Sequence, residues 1–182
     1  EQARGDWVYK GMNSIMDPTP SRIPDGALRS KNLANTAFVY HNNTLYALHE
    51  PSQPTIIRLP GLETDGATNF DGKLKHPFTA HPKVDQKSGE MMTFGYAFQP
   101  PYVSYSVISA AGELIHSTPI TIEKPVFMHD FAVTEKYSLF LDFPITLDVE
   151  RAMAGGPALG FEPEHGSRIG VVPRFGTDSD VR

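Results

Sequence analysis

The chain has 182 residues, of which 40% are apolar and 20% charged, and this length predicts a single globular domain. A formal net charge of −5 without any run of Lys and Arg argues against nucleic acid and acidic lipid headgroups as main partners. Because there is no cysteine, disulfides, thiolate nucleophiles and iron–sulfur clusters are excluded.

Turn-forming residues dominate the composition. The chain contains 15 glycines and 16 prolines without a collagen-like period, which predicts many turns between short strands rather than a helical bundle. Residues 1–35 include Asp17-Pro18-Thr19-Pro20 and Ile23-Pro24-Asp25-Gly26, so a loop-rich lead-in segment is expected there. Residues 36–182 are expected to form the β-rich domain. No run of consecutive apolar residues approaches the roughly 18 that a membrane-spanning helix needs.

Four β-hairpins are predicted where runs of apolar and β-branched residues flank turn residues. They pair 36–41 with 44–50, 78–84 with 90–98, 102–109 with 113–122, and 128–134 with 137–143. Asn42-Asn43 joins the first pair, and both residues tolerate the positive φ of a tight turn. The only good helical stretch is 147–154, with Asp148 as its N-cap and Gly155-Gly156 as its stop. Short strands in this order predict an all-β meander.

Two histidines share a position in a repeating pattern. His81 and His129 are 48 residues apart, and each precedes an apolar strand by eight or nine residues. That spacing is close to the roughly 40–50 residues of a four-stranded propeller blade. Thr36 lies 45 residues before His81. Three consecutive blades would place all three residues near the start of an innermost strand, where they converge on the propeller axis.

Residue spacing alone leaves the role of these histidines open. A half-buried histidine bonded to a carbonyl is more common than a metal ligand. His41, His116 and His165 are predicted to be ordinary surface or packing residues, and His76 points away from His81 in an extended segment. The sequence lacks a Gly-x-Ser-x-Gly elbow, a phosphate-binding glycine loop and a His-Glu-x-x-His helix, which removes the usual hydrolase, nucleotide and zincin signals.

Six motifs carry a family resemblance. They are Ala34-Asn35-Thr36, Leu45-Tyr46-Ala47-Leu48-His49-Glu50, Thr79-Ala80-His81-Pro82-Lys83-Val84-Asp85, Met91-Met92-Thr93-Phe94-Gly95-Tyr96, Phe127-Met128-His129-Asp130-Phe131-Ala132-Val133-Thr134-Glu135 and Gly170-Val171-Val172-Pro173-Arg174. In order, they closely resemble motifs of the carotenoid cleavage dioxygenase family, which has stilbene-cleaving and retinoid-isomerising members. The resemblance implies a seven-bladed β-propeller that holds a non-haem Fe(II) on its axis with four histidines, under a helical dome.

The resemblance also assigns roles to single residues. It implies that His81 and His129 are the first and second iron ligands. It implies that Glu50 accepts the other ring N–H of His129, and that Thr36 faces the open coordination position. His49 stands where relatives often have an aromatic residue. An imidazole ligand needs an acceptor on its second nitrogen to set its tautomer, which agrees with the role implied for Glu50.

The implied activity is cleavage of a C=C bond of a carotenoid or apocarotenoid with O2, giving two carbonyl products. The partners would be the apolar polyene and O2, with any peripheral membrane contact made by parts outside this chain. Two alternatives stay open: a stilbenoid-cleaving or retinoid-isomerising relative, and a non-catalytic propeller that binds partners on its loops. Seven blades of roughly 45 residues exceed 182, so we expect an internal piece of about three blades that is inactive alone. The compartment stays open, since a transit peptide would precede Glu1.

Overall fold

The computed structural model describes residues 32–50 and 52–182, which are built from short antiparallel strands. The predicted lead-in segment therefore lies outside the described residues except for 32–35, which have no regular structure. The described strands are β1 Ala37–His41, β2 Thr44–Leu48, β3 Thr55–Arg58, β4 Glu63–Ala67, β5 Lys83–Val84, β6 Met91–Tyr96, β7 Val103–Ile108, β8 Leu114–Ile120, β9 Phe131–Val133, β10 Tyr137–Asp142, β11 Ile145–Leu147, β12 Leu159–Phe161 and β13 Arg168–Pro173. One helix, α1, spans Val149–Met153, and 3₁₀ turns span Pro163–His165 and Asp178–Asp180.

The described strands form three larger sheets and one separate two-stranded sheet. The first sheet has the order β1-β2-β3-β4 and the second has the order β5-β6-β7-β8. The third has the order β13-β10-β9, and β11 pairs with β12 alone. All neighbouring strands are antiparallel. The all-β fold class is thus confirmed, and the first and second sheets each have the blade-like arrangement of four successive strands.

The second sheet lies between the other two and is covered on both faces. One apolar cluster, with Met92 and Phe94 at its centre, packs this sheet against the third. A second cluster, with Met91 and Ile108, packs it against the first. Every residue of β7 is buried, as are the first five of β6. A sheet buried on both faces favours mostly apolar strands, as in β6, whereas β7 also buries Ser104 and Ser106 between its apolar residues.

Two local predictions hold in detail. Asn42 and Asn43 have φ values of 45° and 56°, as a tight hairpin turn requires. The Oδ1 of Asp148 accepts the Arg151 N–H at 2.8 Å and caps α1, which ends before Gly155 at φ +86°. In both places the conformation depends on residues that adjoin in sequence.

Several predicted strand limits are wrong. The strand predicted at 78–84 is reduced to Lys83–Val84, because Pro82 has no N–H to donate and the N–H of His81 turns back to Thr79 Oγ1 at 3.0 Å. The strand predicted at 44–50 ends at Leu48, and the one predicted at 128–134 covers only Phe131–Val133. The predicted hairpins omit β3, β4, β11, β12 and β13. Of these, β4 is polar and almost wholly exposed, so it has no apolar pattern that predicts a strand.

A buried arginine joins the second and third sheets. Arg174, which follows β13, lies 2.7 Å from a carboxylate oxygen of Asp85 and 2.8 Å from one of Glu90. Its guanidinium also donates to the carbonyl of Thr134 at 2.9 Å. Its two acidic partners belong to the loop between β5 and β6, so this network fixes that loop against the third sheet.

Among the described residues, no helix is long and apolar enough to cross a membrane.

Candidate metal centre

His81 and His129 meet at the entrances of two neighbouring sheets. Each lies two residues before the first strand of its sheet, β5 for His81 and β9 for His129. Their Nε2 atoms are 3.0 Å apart, and their ring centroids are 4.5 Å apart at an interplanar angle of 67°. His81 is half-buried, whereas the side chain of His129 is 55% exposed. The structure therefore brings together two imidazoles that are 48 residues apart in sequence.

Core contacts on both sides hold these segments in place. Before His81, the N–H of Thr79 donates to the carbonyl of Phe94 at 2.7 Å. Before His129, the side chain of Met128 is 1% exposed in the core between the second and third sheets. After His129, Oδ1 of Asp130 accepts the Phe131 N–H at 2.8 Å. Each imidazole is thus carried by a backbone segment with little freedom to move.

Glu50 lies beside His129, and one of its carboxylate oxygens is within 4.8 Å of a ring nitrogen of His81. It follows β2, and its side chain is 12% exposed. Its Oε1 is 3.1 Å and its Oε2 3.4 Å from Nδ1 of His129. Oε2 is the hydrogen-bond acceptor for Nδ1, and Oε1 is buried without a hydrogen-bond partner among the described residues. A carboxylate at this position favours the tautomer with hydrogen on Nδ1, and it directs the Nε2 lone pair of His129 toward His81.

Aromatic side chains surround the ring of His129. Phe127 stacks on it with centroids 5.8 Å apart at 17°, and Tyr96 contacts Phe127 edge-on at 5.9 Å. The hydroxyl of Tyr96 donates to Glu50 Oε2 at 3.0 Å. Burial, and next the charge of Glu50, raise the pKa of Tyr96 well above its ordinary value, so this hydroxyl stays a donor. Tyr96 and Phe127 both stand in the motifs that carry the family resemblance, but neither residue has a role implied by the sequence.

An ion pair crosses between the two histidine segments. Nζ of Lys83 lies 2.7 Å from Oδ1 of Asp130 and 5.7 Å from the centroid of the Phe131 ring. Burial opposes ionisation of Asp130, but the hydrogen bonds from Lys83 and from the Phe131 N–H prevail and lower its pKa. Asp130 is therefore engaged with Lys83, and the carboxylate that accompanies the histidines comes from Glu50 in the first sheet.

Thr36 lies directly before β1, which is the place in the first sheet that corresponds to His81 and His129 in theirs. It is exposed, and its N–H donates to the carbonyl of Leu48 at 2.9 Å. This bond ties Thr36 to the end of the strand that leads to Glu50. A role of the Thr36 side chain at an open coordination position stays a prediction.

Most other histidines have structural partners. Nε2 of His41 bonds to the carbonyl of Gly89 at 2.8 Å, and that of His116 to the carbonyl of Gly176 at 2.9 Å. His165 bonds to Asp142 at 2.7 Å. Within residues 32–50 and 52–182, Glu50, His81 and His129 form the one cluster of three or more groups able to share a metal ion, with ligand atoms within 4.8 Å of one another.

The donor set of this cluster fits a transition metal. Two imidazole nitrogens each about 2.1 Å from one ion at a right angle lie about 3.0 Å apart, which is the separation of the two Nε2 atoms. Imidazole suits iron, copper, nickel and zinc alike. A largely buried carboxylate that accepts the Nδ1–H of His129 matches the usual orientation of a ligating histidine. The geometry thus accommodates a metal without selecting one.

Comparison with known proteins places the chain in a family. The family described as "RPE65: Retinal pigment epithelial membrane protein" matches residues 1–182. The chain belongs to this family. Among curated members, carotenoid 9,10(9',10')-cleavage dioxygenase 1 of Arabidopsis thaliana is 44% identical over 80% of this chain, which spans 28% of that relative's length. Isoeugenol monooxygenase of Pseudomonas putida is 37% identical over 84% of this chain, which spans 33% of its length.

Solved structures of carotenoid oxygenases share the fold. The lignostilbene dioxygenase of Pseudomonas brassicacearum is 40% identical and superposes with a TM-score of 0.76, over 82% of this chain and 32% of its own. A cobalt-substituted Synechocystis ACO is 28% identical with a TM-score of 0.72, over 96% of this chain and 39% of its own. These likenesses confirm the resemblance to the carotenoid cleavage dioxygenase family and the assignment of the chain to part of its propeller fold.

Proposed function

We propose that the protein carrying these residues is a non-haem Fe(II)-dependent dioxygenase, and that His81 and His129 are two of its iron ligands. It cleaves a C=C bond of a carotenoid or apocarotenoid with O2 to give two carbonyl products. The observation that carries the proposal is the 3.0 Å approach of the two Nε2 atoms, with Glu50 in contact with Nδ1 of His129. Family members named as carotenoid cleavage dioxygenases, 44% identical to this chain, support the reaction and the substrate class.

Each residue of the cluster has a defined task. Glu50 accepts the Nδ1–H of His129 with charge assistance, which fixes the ring and raises the basicity of Nε2. The Lys83–Asp130 pair keeps the entrances of β5 and β9 side by side. We further propose that Thr36 faces the open coordination position. When bound, iron would supply the redox chemistry that O2 needs to react with a double bond.

A stilbenoid substrate is the second candidate. The lignostilbene dioxygenase structure is 40% identical, and the isoeugenol monooxygenase is 37% identical. A conjugated double bond joined to a phenol ring is therefore an alternative to a long polyene. The two candidates share the metal centre and the products' carbonyl groups, and they differ in the length and polarity of the substrate.

The test of the metal centre uses the natural polypeptide that carries this chain. The protein is stripped of metal, reloaded with Fe(II), and analysed for iron per chain in the wild type, His81→Ala and His129→Ala. Both variants should lose iron, whereas His116→Ala should retain it, because His116 only bonds to the Gly176 carbonyl. Full iron content in His81→Ala and His129→Ala would remove the ligand assignment and favour a propeller that binds partners without a metal.

The role of Glu50 is tested in the same preparation. Glu50→Gln should weaken iron retention or turnover by about 10–100-fold while the fold is kept, since an amide oxygen is a weaker acceptor than a carboxylate. Carbonyl products are then measured with an apocarotenoid and with a hydroxystilbene as alternative substrates. Preferred cleavage of the hydroxystilbene would replace the first substrate class by the second. Unchanged iron and turnover in Glu50→Gln would reject the role of this carboxylate.

A further inference from the structure

We infer that Tyr96 is a positioning residue of the metal centre, whose hydroxyl holds Glu50 in the orientation in which it accepts the Nδ1–H of His129. The inference rests on the proposed function, because it gives Tyr96 a task toward a metal ligand. Tyr96 is the last residue of β6 in the second sheet, whereas Glu50 follows β2 in the first. A hydrogen bond between them therefore crosses from one sheet to the other.

One oxygen of Glu50 receives both donors. Oε2 accepts the Tyr96 hydroxyl at 3.0 Å and the Nδ1–H of His129 at 3.4 Å, whereas Oε1 is buried without a hydrogen-bond partner among the described residues. The terminal torsion of a glutamate is broad, so packing alone sets the plane of its carboxylate weakly. The Tyr96 hydroxyl anchors Oε2 and so keeps that oxygen beside the Nδ1–H of His129. The Tyr96 hydroxyl thus selects one carboxylate orientation among several.

The same tyrosine also supports the imidazole from its other side. Its ring packs edge-on against Phe127 with centroids 5.9 Å apart, and Phe127 stacks on His129 at 5.8 Å. The contacts form a closed path from Tyr96 through Glu50 to His129 and back through Phe127. The aromatic half of the path depends on the ring of Tyr96, and the carboxylate half depends on its hydroxyl alone. Removing the hydroxyl therefore isolates its effect on Glu50.

The substitution Tyr96→Phe makes this separation in the natural polypeptide. We expect the affinity for Fe(II), and for Co(II) as a spectroscopic probe, to fall by about 10-fold, the low end of the loss seen when an outer partner of a metal ligand is removed. Affinity is measured on metal-free protein by competition with a chelator, so the result does not depend on turnover. The Co(II) absorption spectrum reports whether the ligand geometry changes.

Tyr105→Phe is the matched control. Tyr105 lies in β7, and its buried hydroxyl accepts the hydroxyl of Ser138 at 2.9 Å, so this variant also loses one tyrosine hydrogen bond. If loss of stability were the cause, both variants would bind metal less tightly. We expect Tyr105→Phe to lower the thermal midpoint without changing the metal affinity.

A double variant tests whether Tyr96 acts through Glu50. In a Glu50→Gln background, Tyr96→Phe should cause no further loss of affinity, because the carboxylate that it positions is gone. Losses that multiply would show that Tyr96 acts through packing, and they would overturn the inference. A Tyr96→Phe affinity within twofold of a metal-binding wild type would overturn it too, and would leave the proposed function standing. A wild type that binds no metal would overturn both.

Discussion

Gly95 stands where the second sheet touches the segment that leads to His81, and no larger residue fits there. It lies within β6, and a Cβ built at this position would be 1.9 Å from the carbonyl oxygen of Pro77 and 2.5 Å from its carbonyl carbon. Contacts of a Cβ atom under 3.0 Å essentially do not occur, so the oxygen must withdraw from 1.9 Å to 3.0 Å, at least 1.1 Å. The atom that must move belongs to the backbone, which has no rotamer to change.

The neighbours of Pro77 leave it little room to withdraw. The carbonyl of Pro77 bonds to Nδ1 of His76 at 2.6 Å, and Nε2 of His76 bonds to Ser106 at 2.7 Å. Phe78 is 2% exposed, in the core between the first and second sheets. Overpacking in a core costs about 1–3 kcal/mol, and a fixed backbone favours the upper end. Gly95→Ala should therefore reduce the free energy of unfolding by about 3 kcal/mol and lower the thermal midpoint.

The shift should also reach the metal centre. Thr79, two residues after Pro77, bonds through its N–H to Phe94 and through Oγ1 to the N–H of His81. A displaced Pro77 therefore moves the backbone that carries His81. We expect Gly95→Ala to lower both the thermal midpoint and the metal affinity of the natural polypeptide, measured by calorimetry and by chelator competition.

Gly170→Ala is the matched control for this prediction. Gly170 also lies within a strand, β13, and a Cβ there would meet only Val181 Cγ1 at 3.4 Å, an ordinary contact. The free energy of unfolding of this variant should stay within about 1 kcal/mol of the wild-type value, because alanine restricts the unfolded chain without causing a clash in the folded one. Equal midpoints for Gly95→Ala and Gly170→Ala would refute the reasoning, since they would show that the Pro77 segment yields freely.

Two further predictions concern stability. Burial lowers the pKa of His76 from its ordinary 6.5, although the hydrogen bond to the Pro77 carbonyl acts in the opposite direction. The unfolded chain therefore binds this proton more readily than the folded chain, so the stability contribution should be complete above about pH 6.5 and fall below it. His76→Gln should reduce the difference between thermal midpoints measured near pH 7.5 and pH 5.5. Arg174→Met should lower the thermal midpoint, because two acidic partners lose a buried cation. The same change at Arg58, whose ion pair with Asp65 is exposed, should have little effect.

Local features of the fold were readable from the sequence. Asn42-Asn43 predicted a hairpin turn and Asp148 predicted a helix N-cap, because each conformation depends on side chains that hydrogen-bond or avoid clashes within a few residues. The shared place of His81 and His129 also followed from the sequence, since one blade repeats with a nearly constant number of residues. Family motifs then supplied the association with Glu50.

Tertiary structure decided the rest. Strand β4 is polar and exposed, so no pattern of apolar residues predicted it. The strand expected at 78–84 is shortened to Lys83–Val84, because Pro82 has no backbone N–H to donate. The hydrogen bond from Tyr96 to Glu50 joins residues 46 apart, and that from His129 to Glu50 joins residues 79 apart. Such contacts depend on how three twisted sheets stack and on which side chains then face the gap between them. Local conformational preference carries no information about that stacking, because many registers of the same strands satisfy it equally well.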